Sequence, residues 1–290
     1  MYVSTSTNIL CERTDQPPVP VEESIRICAE AGFNYLDFGF AELGFFSQEF
    51  RSNGWREKIR RCAELARERG ITFVQGHGSL LDFCNPGEDY AFRLELLKRS
   101  FYGAQMLEIP WLVVHPSCRM ADGVPEADTH EKNVAFFSAL SDFAAPLGVG
   151  IAIENMWSGA NPRGRPYAVE AEELLRLVRD VDRPNVGVCW DIEHASVEQL
   201  PQGDSIRLLG THIKATHISD DTGPTNIHIL PYTGNLHWEE VLQAFRDIQY
   251  DGPFSLEVQH YLLRMPPELW IEAVHFARKI CENMVRLYLG

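Results

Sequence analysis

Four apolar runs in this 290-residue chain end on a carboxylate or an imidazole. GVGIAIENMW carries Glu154 at its polar end, NVGVCWDIEHAS carries Asp191, KATHISD carries His217 and GPFSLEVQH carries Glu257. Each run is short and apolar, as a strand buried on both faces must be. A charged group at the end of such a strand stands where the chain opens into a loop. Three carboxylates and one imidazole converging there make a donor set for one divalent cation. The imidazole shifts preference toward transition metals, so Mn²⁺ or Zn²⁺ is expected ahead of Co²⁺ or Mg²⁺. Five of the ten histidines, His77, His115, His194, His217 and His228, follow strand-like runs. A lone histidine of this kind reads as a loop or core residue, but five after successive runs point to a shared site. His77, His115, His194 and His228 are therefore taken as further residues of that site.

Other residues carry weaker signals. Trp157 has the type to stack on a sugar ring, whereas alternation turns Trp190 away from Asp191 and into packing. Arg163 and Arg165 follow the run that ends at Glu154; Arg163 is taken as an anchor for a phosphate or carboxylate, against the plainer reading of solvated loop cations. Lys214 falls at the far end of its run from His217 and reads as structural. Glu193 reads as a surface group or a support behind the ligands. Asp37 is turned inward by alternation and has no assigned role.

Positioning these groups requires strands that alternate with helices. Strands are expected at 2–7, 34–40, 71–76, 111–114, 149–154 and 185–190, with a seventh ending at His217 and an eighth ending at Glu257. Helices are expected at 21–31, 54–69, 88–107, 131–147, 169–181, about 204–211, 237–248 and 266–289, with Gly70 and Gly148 as helix-closing glycines. Eight alternations of apolar strand and amphipathic helix predict an α/β chain, a (β/α)8 TIM barrel spanning 1–290 as one domain. No GxGxxG follows the first strand, which argues against an open dinucleotide-binding sheet. The polar segments 82–89, 117–128, 158–168 and 219–235 all follow strands, on the face where barrel active sites are built. If Glu154, Asp191, His217 and Glu257 point inward, so do Ala152, Cys189, Gly187, Ala215 and Ser255, while Ile151, Ile153, Val188, Phe254 and Leu256 face the helices.

With 45% hydrophobic residues the chain can bury a large core without disulfides. Its seven cysteines form no CxxC pair and read as buried free thiols in a reducing cytosol. The first residues lack a signal-peptide pattern, and no window approaches the roughly 20 apolar residues of a membrane span. A cytoplasmic protein with no membrane partner is expected. A net charge of −15 disfavours a broad nucleic-acid surface. A homo-oligomer remains open, since Trp270, Phe276 and Leu287 on the last helix could pack on the barrel or on a partner.

The chain resembles the xylose isomerase-like TIM barrels, which include sugar and sugar-phosphate isomerases and epimerases and the apurinic endonuclease IV group. The resemblance spans nearly all of the chain. It rests on QGHGS (75–79), VVHPS (113–117), AIEN (152–155), the DxxH of Asp191 and His194, HISD (217–220), the NxHxxP run at 226–231 with Gly234 beyond it, and FSLEV (254–258). It implies that Glu154, Asp191, His217 and Glu257 form the one-metal site of a ketose epimerase. Glu154 and Glu257 would also be the acid/base pair, and His194 would contact substrate oxygens. The implied substrate is a small carbohydrate or polyol-derived carbonyl compound, epimerised by proton transfer through an enediolate. The alternative is a metal-dependent hydrolase or lyase, either endonuclease IV-like or inosose dehydratase-like. Endonuclease IV's three-zinc pattern maps onto His77, His115, Glu154, Asp191, His194, His217, Asn226, His228 and Glu257, with an amide at Asn226 where that group has an aspartate. From the ketose epimerases the chain departs after His217: Asp220, Asp221, Thr222 and Gly223 stand where an arginine is usual.

Overall fold

In the computed structural model, which describes residues 1–14, 16–159, 164–224 and 227–289, eight parallel strands form the inner wall. They are β1 (Tyr2–Ser6), β2 (Tyr35–Gly39), β3 (Thr72–His77), β4 (Trp111–Val114), β5 (Gly150–Glu154), β6 (Val186–Asp191), β7 (Ile213–His217) and β8 (Pro253–Leu256). The sheet runs in chain order from β1 to β7, with β8 paired to β1. Between β7 and β8 the seam is drawn together by Ile218, whose N–H donates to Ser255 O at 2.8 Å and whose carbonyl accepts from Glu257 N at 3.0 Å. The chain is thus a nearly closed TIM barrel, as the alternation of runs predicts.

Helices α1 (Val21–Glu30), α4 (Trp55–Arg69), α5 (Tyr90–Met106), α6 (Thr129–Ala144), α7 (Ala171–Val181), α9 (Gln202–Leu209), α10 (Trp238–Asp247) and α11 (Trp270–Leu289) flank that wall. The amphipathic pattern explains their seating: α7 buries Ala171, Leu174, Leu175, Leu177, Val178 and Val181, the i, i+3, i+4 stripe of a helix lying on a sheet. Gly70 and Gly148 do close their helices in the left-handed conformation, at φ 68° and 71°.

Three short helices are additions to the expected set. α2 (Phe40–Phe46) and α3 (Gln48–Arg51) follow β2, and α8 (Ile192–Val197) follows β6. The start of α2 looks like strand in the sequence because Phe40 continues the apolar run of β2. α8 is nucleated by Asp191, whose side chain accepts from His194 N at 2.8 Å as an N-cap. Within 117–128 a small antiparallel hairpin pairs Met120–Ala121 with Val124–Pro125.

Side-chain alternation divides the interior in two. Ile151, Ile153, Val188, Phe254 and Leu256 belong to the large core between strands and helices, whereas Val113, Ala152, Cys189 and Ala215 form a separate small cluster inside the barrel. The seven cysteines are free, and all but Cys118 are buried. Trp270 packs on its own chain, under the Arg13 guanidinium and donating to Met265 O at 3.0 Å; Phe276 and Leu287 face outward. Among the described residues no helix is long and apolar enough to cross a membrane.

Candidate metal centre

Barrel geometry brings the four strand-end groups together. One ligand atom from each of Glu154, Asp191, His217 and Glu257 lies within 4.8 Å of the others, and all four residues are buried. His217 Nδ1 stands at the middle, 2.8 Å from Glu154 Oε1, 3.2 Å from Glu257 Oε2 and 3.7 Å from Asp191 Oδ2. Among the described residues no lysine or arginine pairs with these three carboxylates. Glu154 Oε2 and Asp191 Oδ2 are fully buried and make no hydrogen bond. Three buried carboxylates faced only by imidazoles are costly, and a cation among them would satisfy the oxygens left without a hydrogen bond. The donor set therefore fits a divalent metal.

Electrostatics in the metal-free cluster show the same crowding. Burial raises Glu257 and Asp191, each to about 7, and the neighbouring Glu154 charge adds to both shifts. Burial also acts on Glu154, but His217 and His115 beside it outweigh that and hold it well below the usual carboxylate range. His217 is carried well above its ordinary value, against the effect of burial, by anionic neighbours that include Glu257 and Glu154. One proton-poor carboxylate ringed by protonated partners is how such a cluster stands without a cation.

Supporting contacts come from residues that sequence reasoning left unplaced or missed. Asp37 is fully buried, with Oδ2 3.5 Å from His217 Nε2. Gln75 ties Asp37 to the strand beneath His217: its Nε2 donates to Asp37 Oδ2 at 2.7 Å and to Thr216 O at 3.1 Å. Asn155 pins the ends of β5 and β6 together, accepting from Asp191 N at 2.6 Å and donating to Asp191 O at 3.0 Å. Asn8, just past β1, donates from Nδ2 to Glu257 Oε1 at 3.2 Å and to Gln259 Oε1 at 2.6 Å. Asn8 follows the first strand as the histidines follow theirs; an amide there carries no chemical flag, so position was its only signal.

His77 and His115 meet beside Glu154 Oε2, and the His77 ring also stacks on His217 with 5.5 Å between centroids. Their Nε2 atoms lie 3.0 Å apart, and 3.4 and 2.9 Å from Glu154 Oε2, so these three groups form a second possible donor set sharing Glu154. A third overlapping set adds Cys189 to Glu154 and His217. Burial depresses His77, yet the Glu154 carboxylate overrides it and lifts the ring to about 9; burial lowers His115. His194 Nδ1 lies 2.8 Å from Asn155 O and must donate to it, which leaves Nε2 free 3.7 Å from Asp191 Oδ2. Trp157 stacks on His194 with 5.8 Å between ring centroids.

Glu193 is a correction to the surface reading. It is fully buried, accepts from the His228 backbone N–H, and stands with Oε1 3.6 Å from His228 Nδ1. Burial and the Asp191 charge push it up to about 9, and burial with three neighbouring histidines pushes His228 down to about 3. Trp190 is buried and donates to Gln202 at 3.2 Å, while Lys214 sits 5.7 Å over the Trp111 ring in a cavity at the opposite end of the barrel. Arg165 is bound to Glu173 and Glu170. Arg163 and Asn226 lie outside the described residues.

Comparison with known proteins gives the following. A family model described as xylose isomerase-like TIM barrel matches residues 25–280. The chain is 26% identical over 230 residues to D-psicose 3-epimerase of Agrobacterium fabrum, covering 75% of this chain and 76% of that one. It is 30% identical over 172 residues to the uncharacterized protein MJ1311 of Methanocaldococcus jannaschii, spanning 57% of this chain and 56% of the relative. Among solved structures, a D-tagatose 3-epimerase-like protein superposes with TM-score 0.77 at 22% identity, covering 100% and 98% of the two chains. The IOLI protein with a bound zinc atom superposes with TM-score 0.75 at 20% identity, covering 99% of each. At these identities the two structures establish the fold.

Proposed function

The chain belongs to the xylose isomerase-like TIM barrel family, and from that premise we propose a divalent-metal-dependent epimerase or isomerase of a small sugar or polyol-derived carbonyl compound. The observation that carries this reading is the buried convergence of Glu154, Asp191, His217 and Glu257, with orphaned oxygens on Glu154 and Asp191. Those four residues would hold the ion, Mn²⁺ or Zn²⁺ before Co²⁺ or Mg²⁺. The ion supplies Lewis-acid polarisation of the substrate's carbonyl and hydroxyl oxygens.

The chain's own groups account for the proton traffic. Glu154 and Glu257 come from strands on different sides of the barrel mouth and flank His217. One takes the proton from the carbon next to the carbonyl, giving an enediolate, and the other returns a proton to the opposite face. Asn8 holds the second oxygen of Glu257, so that carboxylate keeps one orientation through the transfer. His194, presenting Nε2 beside Asp191, contacts substrate oxygens, and Trp157 stacked on it offers an apolar face to the carbon chain. His77 and His115 line the Oε2 side of Glu154, with His77 stacked on the His217 ring, and His228 completes the polar rim.

The test is solvent exchange. Protein loaded with Mn²⁺ is incubated in deuterated water with ketoses, inososes and sugar phosphates, and deuterium next to the carbonyl is read by mass. Glu257→Gln should lower incorporation by about 10³-fold or more while leaving the thermal transition in place. Exchange that persists in Glu257→Gln removes Glu257 from proton transfer.

A second reading rests on the His77, His115 and Glu154 set, which gives the site room for more than one cation. A hydrolase or lyase of the same family would use it. Counting metal in purified protein separates the two: one ion per chain supports the epimerase, and two or three support the hydrolase.

A further inference from the structure

Next to the metal centre, on the side of His77 and His115, lies a cavity of about 360 Å³. It is built by the segments after β3, β4 and β5, with Phe45 from α2 as its outer lip. His115 is the wall it shares with the metal centre, since that imidazole lines the cavity and its Nε2 stands 2.9 Å from Glu154 Oε2. The volume falls in the range of small-molecule pockets.

Its lining does not match a bare sugar. Phe45, Leu80, Leu81, Pro116, Met156 and Tyr167 present carbon. The Tyr167 hydroxyl is engaged with His130 Nδ1 at 2.7 Å, which leaves the ring as its free face. Of the polar groups on the wall, Asp82 accepts from Ser117 Oγ and from Asn85 Nδ2, and Arg93 gives its Nε to Asp89 while its terminal nitrogens lie at the exposed edge. Phe45 is 45% exposed, an apolar lip open to water. Hydroxyls driven against such a wall would lose hydrogen bonds to water without replacement. An aromatic ring there would instead meet other rings edge-on or offset.

We propose that this cavity receives an apolar substituent, aromatic by preference, carried by the substrate, so that the substrate is a conjugated carbonyl polyol rather than a free sugar. The proposal rests on the epimerase or isomerase reading of the metal centre and adds the part of the substrate that lies outside it. The centre handles the carbonyl and its neighbouring carbon, and the cavity holds the appendage.

The experiment has two arms. In the first, Mn²⁺-loaded protein is given D-psicose, its 1-O-benzyl and 6-O-benzyl ethers, and D-psicose 6-phosphate, and kcat/KM for deuterium uptake is compared. One benzyl ether should exceed D-psicose by about tenfold, the factor supplied by removing roughly 55 Å² of apolar surface from water. Phe45→Ala should cut that advantage about threefold, and Leu80→Asp, at a half-buried position, should abolish it. Equal rates for ether and free sugar overturn the proposal while leaving the metal-centre reading intact. So does a gain for the phosphate alone, which would make Arg93 the governing contact. In the second arm, binding of benzyl and methyl β-D-glucopyranoside is followed by saturation transfer, which needs no turnover. Signal on the benzyl ring that disappears in Leu80→Asp supports the cavity even if no compound exchanges, an outcome that sinks only the catalytic reading. No ring signal with the unaltered protein overturns the proposal.

Discussion

Asp37→Asn tests how the metal centre is held. His217 turns Nδ1 toward the three carboxylates, so a neutral ring carries its proton on Nε2, which faces Asp37 Oδ2 at 3.5 Å. That spacing is longer than a hydrogen bond, so the coupling is chiefly charge against ring. Two unit charges 3.5 Å apart attract by about 5 kcal/mol at an effective dielectric of about 20. An imidazole that has given its lone pair to a cation bears a fraction of a unit charge, and a third of one leaves about 1.5 kcal/mol. That equals about tenfold in affinity, the low end of the 10- to 100-fold seen when support behind a metal-bound histidine is removed. Asn keeps the volume of Asp37, and its oxygen can still accept from Gln75, so the fold should survive. The assay is competition for Zn²⁺ against a chromogenic chelator, with chelator-stripped protein at neutral pH and circular dichroism as the folding control. A dissociation constant within twofold of the unaltered protein refutes the support role of Asp37 and, with it, the orientation assigned to His217.

Two further outcomes follow from the same contacts. Asn8→Ala frees Glu257 Oε1 from its donor, so kcat for deuterium exchange should fall about tenfold with KM nearly unchanged; a change confined to KM would make Asn8 a substrate contact instead. Burial raises Asp191 and Glu257 to about 7 in the metal-free protein, so below that pH a cation must displace protons from both. Raised carboxylates hold protons at low pH and lose them as pH climbs, so metal affinity should rise steeply between about pH 5 and pH 8 and more gently above, where His217 still holds a proton. Calorimetry in two buffers of different ionisation heat should find more proton release at about pH 6 than at about pH 9; release independent of pH removes these carboxylates from the binding equilibrium.

How far the sequence carried the reading depended on what kind of signal each residue could leave. Glu154, Asp191 and His217 were legible because a charge breaking an apolar run is conspicuous, and the strand period fixed which way Ala152, Cys189 and Ala215 point. The alternation of eight units gave the barrel for the same reason. Asp37 showed its inward direction but no partner, because its contacts to Gln75 and His217 are 38 and 180 residues away in the chain. Glu193 stayed open between surface and support in the sequence: a glutamate beside a turn is ordinarily solvated, and only the folding of the segment around His228 onto it buries it. The short helix after Asp191 was hidden because the capping residue is also a candidate ligand, and the sequence offers no way to see both roles at once.

Asp220 links the departure after His217 to the apolar cavity. Ketose epimerases of this family usually carry an arginine there, but in this chain the segment is organised around a carboxylate. Asp220 accepts from Asp221 N and Leu236 N on Oδ1, at 3.0 and 3.1 Å, and from Tyr232 N and Trp238 Nε1 on Oδ2, both at 3.0 Å. Asp220 is fully buried, and Gly234 packs so closely on it that a Cβ would stand 2.2 Å from Oδ1. An arginine introduced nearby would meet a carboxylate whose oxygens are already filled, in a loop with no slack to receive it. The far end of the substrate must then be held by another part of the mouth. Opposite, at the ends of β3 to β5, the chain offers a carbon-lined cavity that shares His115 with the metal centre. On the epimerase reading, exchanging a polar contact on one side for apolar burial on the other would keep the proposed proton chemistry and change which substrate is selected.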